Sequence, residues 1–173
     1  MHGRKGPKAD LTVAGTSTKF LYDKGIPLVI AKDPRRRGDD LKGSYRFGVC
    51  FDGSPSSVNA LKVVMSMAAD HDKITIVTCK EPCVDEDNVK DLIRRTVESR
   101  KHEHVTIERE VNHTIYQRIK KYLKDEMTED NYIDFVAVGS KGAASAEKDS
   151  DNYIGSVATL VLQARNMNCI FVT

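Results

Sequence analysis

Three short stretches of this chain carry residues whose types and spacing suit anion chemistry. Gly139-Ser140-Lys141-Gly142 follows the apolar run Ile133-Asp134-Phe135-Val136-Ala137-Val138, and Gly155-Ser156 then opens a helical pattern. A strand feeding a small-residue loop, answered by a helix N-terminus, builds a phosphate-sized hole lined with backbone N–H groups. Asp52-Gly53-Ser54 ends a second apolar stretch and adds a carboxylate. The same residues also suit a plain strand end with a helix cap at Asp52, or a tight turn at Gly139 and Gly142. Other chemistry is thinly supplied. Cys79-x3-Cys83 with His102 and His104 has poor spacing for zinc, so Cys79 reads as core. His113 reads as a solvated loop residue and Arg35-Arg36-Arg37 as a solvated triplet. No Gly-x-Ser-x-Gly elbow precedes a helix, and no lysine-ended P-loop is present. Asp52 lacks the second carboxylate that a metal-assisted aspartyl-phosphate hydrolase needs nearby. A binding protein is the expectation.

The elements that must position these residues alternate in type. Tyr45, Phe47, Val49 and Phe51 read as a strand, and Val58, Leu61, Val64, Met65 and Ala68 as a helix stripe. Ile74–Thr78 is a second strand, followed by a helix marked by Val89, Leu92, Ile93, Thr96 and Val97. Val105, Ile107 and Val111 suit a half-exposed edge strand. Thr114 can cap a third helix with the stripe Ile115, Ile119, Tyr122 and Met127. The strand ending at Val138, a helix with Val157, Leu160, Val161 and Ala164, and a last strand from Cys169 to Val172 complete the set. Strict alternation predicts five parallel strands with right-handed crossovers and helices on both faces. The ligand crevice then lies beyond the carboxyl ends of the strands, where Asp52 and Gly139 fall.

Bulk composition narrows the class. At 173 residues, with 40% hydrophobic and 30% charged residues, the chain allows one full domain plus an extension. A net charge of +2 does not argue for nucleic acid. No apolar run approaches the roughly 18 residues of a membrane span, and MHGRKGPKAD lacks a secretion signal's apolar core. Cys50, Cys79, Cys83 and Cys169 lie in or beside apolar stretches without the density of a disulfide scaffold. A reduced, cytoplasmic protein is expected. The chain also echoes itself: His2-Gly3-Arg4-Lys5-Gly6, Gly15-Thr16 and Pro27-Leu28-Val29-Ile30 repeat the order of loop, helix start and strand. Residues 1–32 read as the tail of a preceding copy, 33–44 as a polar linker and 45–173 as a complete domain.

Val49-Cys50-Phe51-Asp52-Gly53-Ser54, Phe135-Val136-Ala137-Val138-Gly139-Ser140-Lys141-Gly142 and Gly155-Ser156-Val157-Ala158 together resemble the motifs of universal stress proteins. The resemblance covers residues 45–173, and residues 1–32 are similar to the end of another such domain, as in a tandem repeat. It implies a three-layer, Rossmann-like α/β sandwich of the adenine nucleotide alpha hydrolase type, with strand order 3-2-1-4-5. It also implies a role in stress response, with one family branch binding ATP and another not. Carried over, Asp52 and Gly53 would meet the adenosine, and the backbone near Thr78 and Cys79 would line the adenine slot. Gly139, Lys141, Gly142, Gly155, Ser156 and Val157 would hold the phosphates. The binding pattern is Gly-x2-Gly-x9-Gly-Ser/Thr, whereas twelve residues separate Gly142 from Gly155 here, among them Glu147, Asp149 and Asp151 against Lys148. Roughly 8 Å from a triphosphate, each net negative charge costs on the order of 1–2 kcal/mol. Charge-assisted N–H contacts contribute roughly 1.5–3 kcal/mol each, and the acids could hold Mg²⁺ against the phosphates. Binding weakened but not abolished is expected, with at most very slow ATP hydrolysis. Binding would order residues 141–154 and alter a protein partner's surface; the alternative is a dimerisation or interaction module with an empty site.

Cys169-Ile170-Phe171-Val172 is apolar throughout yet falls at a sheet edge, and an open apolar edge invites aggregation. In family dimers a second copy of this strand covers it. The Pro27–Ala31 strand can do the same, antiparallel, within the chain as a pseudo-dimer or in a homodimer.

Overall fold

Apolar residues spaced by two and apolar stripes at helical spacing become six strands and four helices among the described residues. The computed structural model describes residues 26–32, 43–82, 84–98, 100–108, 112–126, 132–143, 154–164 and 167–173. In chain order the elements are β1 (Leu28–Ile30), β2 (Arg46–Cys50), α1 (Pro55–Met67), β3 (Lys73–Cys79) and α2 (Glu86–Val97). Then follow β4 (Glu103–Ile107), α3 (Ile115–Glu126), β5 (Phe135–Gly139), α4 (Ser156–Gln163) and β6 (Asn168–Val172). The loop of residues 2–6, the Gly15-Thr16 helix start, the arginine triplet, Cys83, Val111, Met127 and the acids Glu147, Asp149 and Asp151 lie outside the described residues.

The sheet runs β1-β6-β5-β2-β3-β4. Counted from β2, this is the expected 3-2-1-4-5 order, and those contacts are all parallel. Strand alternation divides the core in two. Phe47, Val49, Ile74, Ile76, Ala137, Ile170 and Val172 face α1 and α2. Cys50, Val136, Val138, Cys169 and Phe171 face α3 and α4. The result is a three-layer sandwich. Thr114 caps α3 reciprocally: Gln117 N donates to Thr114 Oγ1 (3.2 Å) and Thr114 N to Gln117 Oε1 (2.8 Å). β5 starts at Phe135, later than the apolar run suggests, and just before it Asp134 N donates to the Arg46 carbonyl while Asp134 Oδ2 accepts from Arg46 N.

All five residues of β6 are buried, and β1 covers its outer edge antiparallel, with Val29 opposite Ile170. Leu28 and Ile30 pack on the α3–α4 side, while Val29 is 45% exposed. Lys32 secures the segment. Its N–H donates to Asn168 Oδ1 (2.7 Å), and its Nζ donates to the carbonyls of Val161 (3.0 Å), Leu162 (2.7 Å) and Ala164 (3.1 Å). These are end-of-helix carbonyls of α4, which lack helical partners and welcome a cation. Burial lowers the Lys32 pKa, with the nearby Cys169 acting in the opposite sense.

Candidate functional site

β2, β3 and β5 end on the same side of the sheet, and beyond them lies a cavity of about 260 Å³. It occupies the place where open α/β sheets bind ligands. Cys50, Val77, Cys79, Val84, Ile115, Ile119 and Val138 form an apolar wall. Asp52, Lys141, Gly142, Ala143, Gly155 and Ser156 form a polar one, with Val157 beside them and Glu81 on the β3 side. Of the expected contacts, Asp52, Cys79, Gly139, Lys141, Gly142, Gly155, Ser156 and Val157 come together here. Gly53 and Thr78 do not line the cavity. Alternation along β3 sends Thr78 to the opposite face, where its Oγ1 lies 3.1 Å from His104 Nε2. Gly53 turns toward α2, where a Cβ would lie 3.3 Å from Val89. His102 is exposed and its Nδ1 meets the Arg100 carbonyl, so the cysteine and histidines considered for zinc diverge.

Asp52 is fully engaged. Its Oδ1 accepts from Ser54 N (3.0 Å) and Ser54 Oγ (2.6 Å), and its Oδ2 accepts from Ala143 N (2.7 Å). The carboxylate thus ties the glycine loop to the end of β2. The cap of α1 is Ser54, whose side chain accepts from Ser57 N, in place of the Asp52 cap that sequence suggests. Ser56 Oγ donates to the Lys141 carbonyl, fastening the loop a second time. Two glycines are required by these close approaches. A Cβ on Gly139 would sit 2.5 Å from Ser56 Oγ and 2.6 Å from the Ser56 carbonyl carbon, and one on Gly142 would sit 2.8 Å from Asp52 Oδ2.

The backbone amides divide into engaged and open groups. Ala143 N is taken by Asp52, Gly155 N donates to the Ser140 carbonyl (2.8 Å), and Ser140 N to the Val172 carbonyl (2.7 Å). The loop amides therefore serve the fold more than sequence suggests. The first turn of α4 differs, because its cap is Gly155, which has no side chain to bond its amides, and no other described side chain does so. Lys141 is half-buried in the same wall and pairs with no carboxylate among the described residues. Together they place positive charge in this wall beside the Asp52 carboxylate.

Across the cavity, burial pushes the Cys50 thiol up to about 12, with Cys79 and Asp52 adding to it. Cys79 rises to about 11, mainly by burial, with Arg118 opposing and Glu81 reinforcing. Both thiols stay neutral near pH 7 and behave as apolar surface. Glu81 and Arg118 escape sequence reading. Arg118 Nη2 donates to Glu81 Oε1, and the Arg118 side chain is 1% exposed. A signal existed: Arg118 falls within the Ile115–Ile119 stripe, and a charge on an apolar face needs a buried partner. A second groove of about 420 Å³ lies at the amino ends of the strands, but its Asp72 is committed to Tyr45 N and Ala69 N.

No protein-family model matches the chain, and no curated protein matches it either. In structure it is similar to a universal stress protein solved in complex with cAMP, at 17% identity. That likeness covers 75% of this chain and 96% of the other, with a TM-score of 0.53. It is also similar to protein Rv1636 from Mycobacterium tuberculosis H37Rv at 19% identity, over 58% of this chain and 75% of that one, with a TM-score of 0.45. The chain has the universal stress protein fold. Among the described residues no helix is long and apolar enough to cross a membrane.

Proposed function

We propose that this chain is a universal stress protein-like nucleotide binder, with ATP as the ligand and a role in stress response through ligand-dependent contact with a protein partner. One observation carries the reading: the first turn of α4, whose Gly155 cap has no side chain, and Lys141 border a cavity whose other wall is apolar. An anion seated there gains from N–H donors and positive charge, while a base gains from apolar contact. The universal stress protein of similar fold solved with cAMP supports a nucleotide as the class of occupant. Both Asp52 oxygens accept protein hydrogen bonds, so Mg²⁺ would arrive with phosphate and water oxygens as its ligands. Asp52 is tied to the loop and Glu81 to Arg118, so each carboxylate already serves a fixed contact, which favours binding with at most very slow turnover. Occupancy would act on the loop that Asp52 fastens, and through it on the partner surface. The intrachain β1–β6 pairing supports a pseudo-dimer over a homodimer at that edge.

A second reading, an interaction module with an empty site, is favoured by the engagement of Ala143 N and Gly155 N within the protein. Thermal melting with millimolar Mg-ATP or cAMP separates the two. A ligand at tenfold excess over its Kd stabilises by roughly 1.4 kcal/mol and raises Tm measurably. An unchanged Tm with both ligands would leave the interaction module standing.

A further inference from the structure

Glu81 borders the cavity with its carboxylate held from behind. Oε1 accepts from Arg118 Nη2, and 20% of the Glu81 side chain is exposed against 1% for Arg118. Arg118 Nη1 donates in turn to the carbonyls of Lys80 (3.3 Å) and Glu108 (3.1 Å), so residues just past β3 and β4 fix the guanidinium. Desolvating such a pair opposes its attraction, so stability alone does not explain a charge here. Val84, Ile115 and Ile119 share the wall, and an ionised carboxylate among them accepts hydrogen bonds and donates none. Glu81 repels a phosphate, whereas Lys141 and the start of α4 attract one. The two together orient a bound nucleotide, phosphate toward Lys141 and nucleoside toward Glu81.

We propose that Glu81 reads the hydrogen-bond donors of the nucleoside, whether a base amine, a ring N–H or a sugar hydroxyl, with Arg118 as its positioning residue. The inference rests on the nucleotide-binding reading above. The test is calorimetric titration of the full chain and of Glu81→Gln with ATP, GTP, purine riboside triphosphate, 2′-deoxy-ATP and inorganic tripolyphosphate. Glutamine keeps the shape and an oxygen for Arg118 but turns an amide donor toward the ligand. E81Q should weaken at least one natural nucleotide about tenfold or more while leaving tripolyphosphate unchanged. If the base is read, the wild type binds ATP more tightly than purine riboside triphosphate, which lacks the exocyclic amine, and does not reject GTP, whose base also carries N–H donors; E81Q narrows these differences. If the sugar is read, 2′-deoxy-ATP loses affinity in the wild type but not in E81Q. Arg118→Lys keeps the charge without the fork and should show the same nucleoside-dependent loss in smaller degree. Equal nucleotide binding by wild type and E81Q overturns the role of Glu81 while the nucleotide reading stands. A loss shared equally by tripolyphosphate also overturns it, as a general structural effect. A wild type that binds no nucleotide overturns both.

Discussion

Two helices begin at the same cavity, and they begin differently. At α1, Ser54 caps the first turn, Ser56 binds the Lys141 carbonyl, and Gly139 lets the end of β5 press against the helix start. At α4 the cap is Gly155, which offers no side-chain acceptor. The far end of α4 is closed again, by the Lys32 ammonium. Donors satisfied by protein support the fold; donors facing a cavity keep their partial positive charge for something else. The contrast separates what α1 does for stability from what α4 would do for the proposed ligand, although both starts look alike as small-residue turns.

The closed start should be the more sensitive to change. Gly139→Val drives a branched side chain into the α1 backbone, and equilibrium urea unfolding should show a loss of about 3 kcal/mol. An unaltered midpoint would mean that α1 does not bear on β5 as tightly as described. Ser54→Ala removes the cap and a partner of Asp52, and should cost about 1–2 kcal/mol in the same assay. Lys32→Met strips three carbonyls of their cation and should cost about 1 kcal/mol, seen as a lower Tm. Were it neutral, the segment before β2 would be held by strand pairing, by the residue 32 N–H on Asn168 and by the packing of Leu28 and Ile30, without help from the ammonium. Gly155→Asp tests the open start in both directions. The residue has φ −61 and ψ 156, an extended conformation open to any side chain, and the nearest atom to a new Cβ lies 3.4 Å away. The new cap should raise stability by only a few tenths of a kcal/mol. If the proposed phosphate site is right, it should also lower nucleotide affinity by about tenfold in calorimetry, because it places a negative charge at that site. Improved binding in this variant would refute the anion-facing role of α4.

The smallest effect expected is one of pH, at a site remote from both helix starts. Burial holds the His104 pKa below its ordinary value, with His102 and Lys90 adding to it. Above the ordinary value both folded and unfolded chains carry a neutral ring, so nothing changes. As pH falls through that range the unfolded chain binds the proton first, and stability declines until folded His104 is protonated too. The wild type should therefore lose slightly more stability than His104→Asn between about pH 7 and 5. Parallel curves would show that burial, His102 and Lys90 do not favour the neutral ring.

How much of this could be read without coordinates differs residue by residue. The alternation of strand and helix stripes was legible because periods of two and 3.6 are local properties of a chain. The β1–β6 pairing was legible too, since an apolar strand such as Cys169–Val172 needs a cover. Asp52, Lys141 and Gly155 could be nominated because strand ends and helix starts are where such folds gather donors. The long-range bonds could not be foreseen. Ser54, two residues on, is a local partner of Asp52, but Ala143 lies 91 residues away, and that Thr78 faces away follows from strand phase.

By itself, then, the order of residues determined the alternation of strands and helices, the layers and the end of the sheet at which a ligand could sit, while the strand order came from the family resemblance. The tertiary structure alone decided which amides are open, that Lys32 closes α4, and that Arg118 holds Glu81 against the cavity. The reason is physical: periodicity is set by neighbours in the chain, whereas a hydrogen bond is set by distances of about 3 Å between groups remote in it.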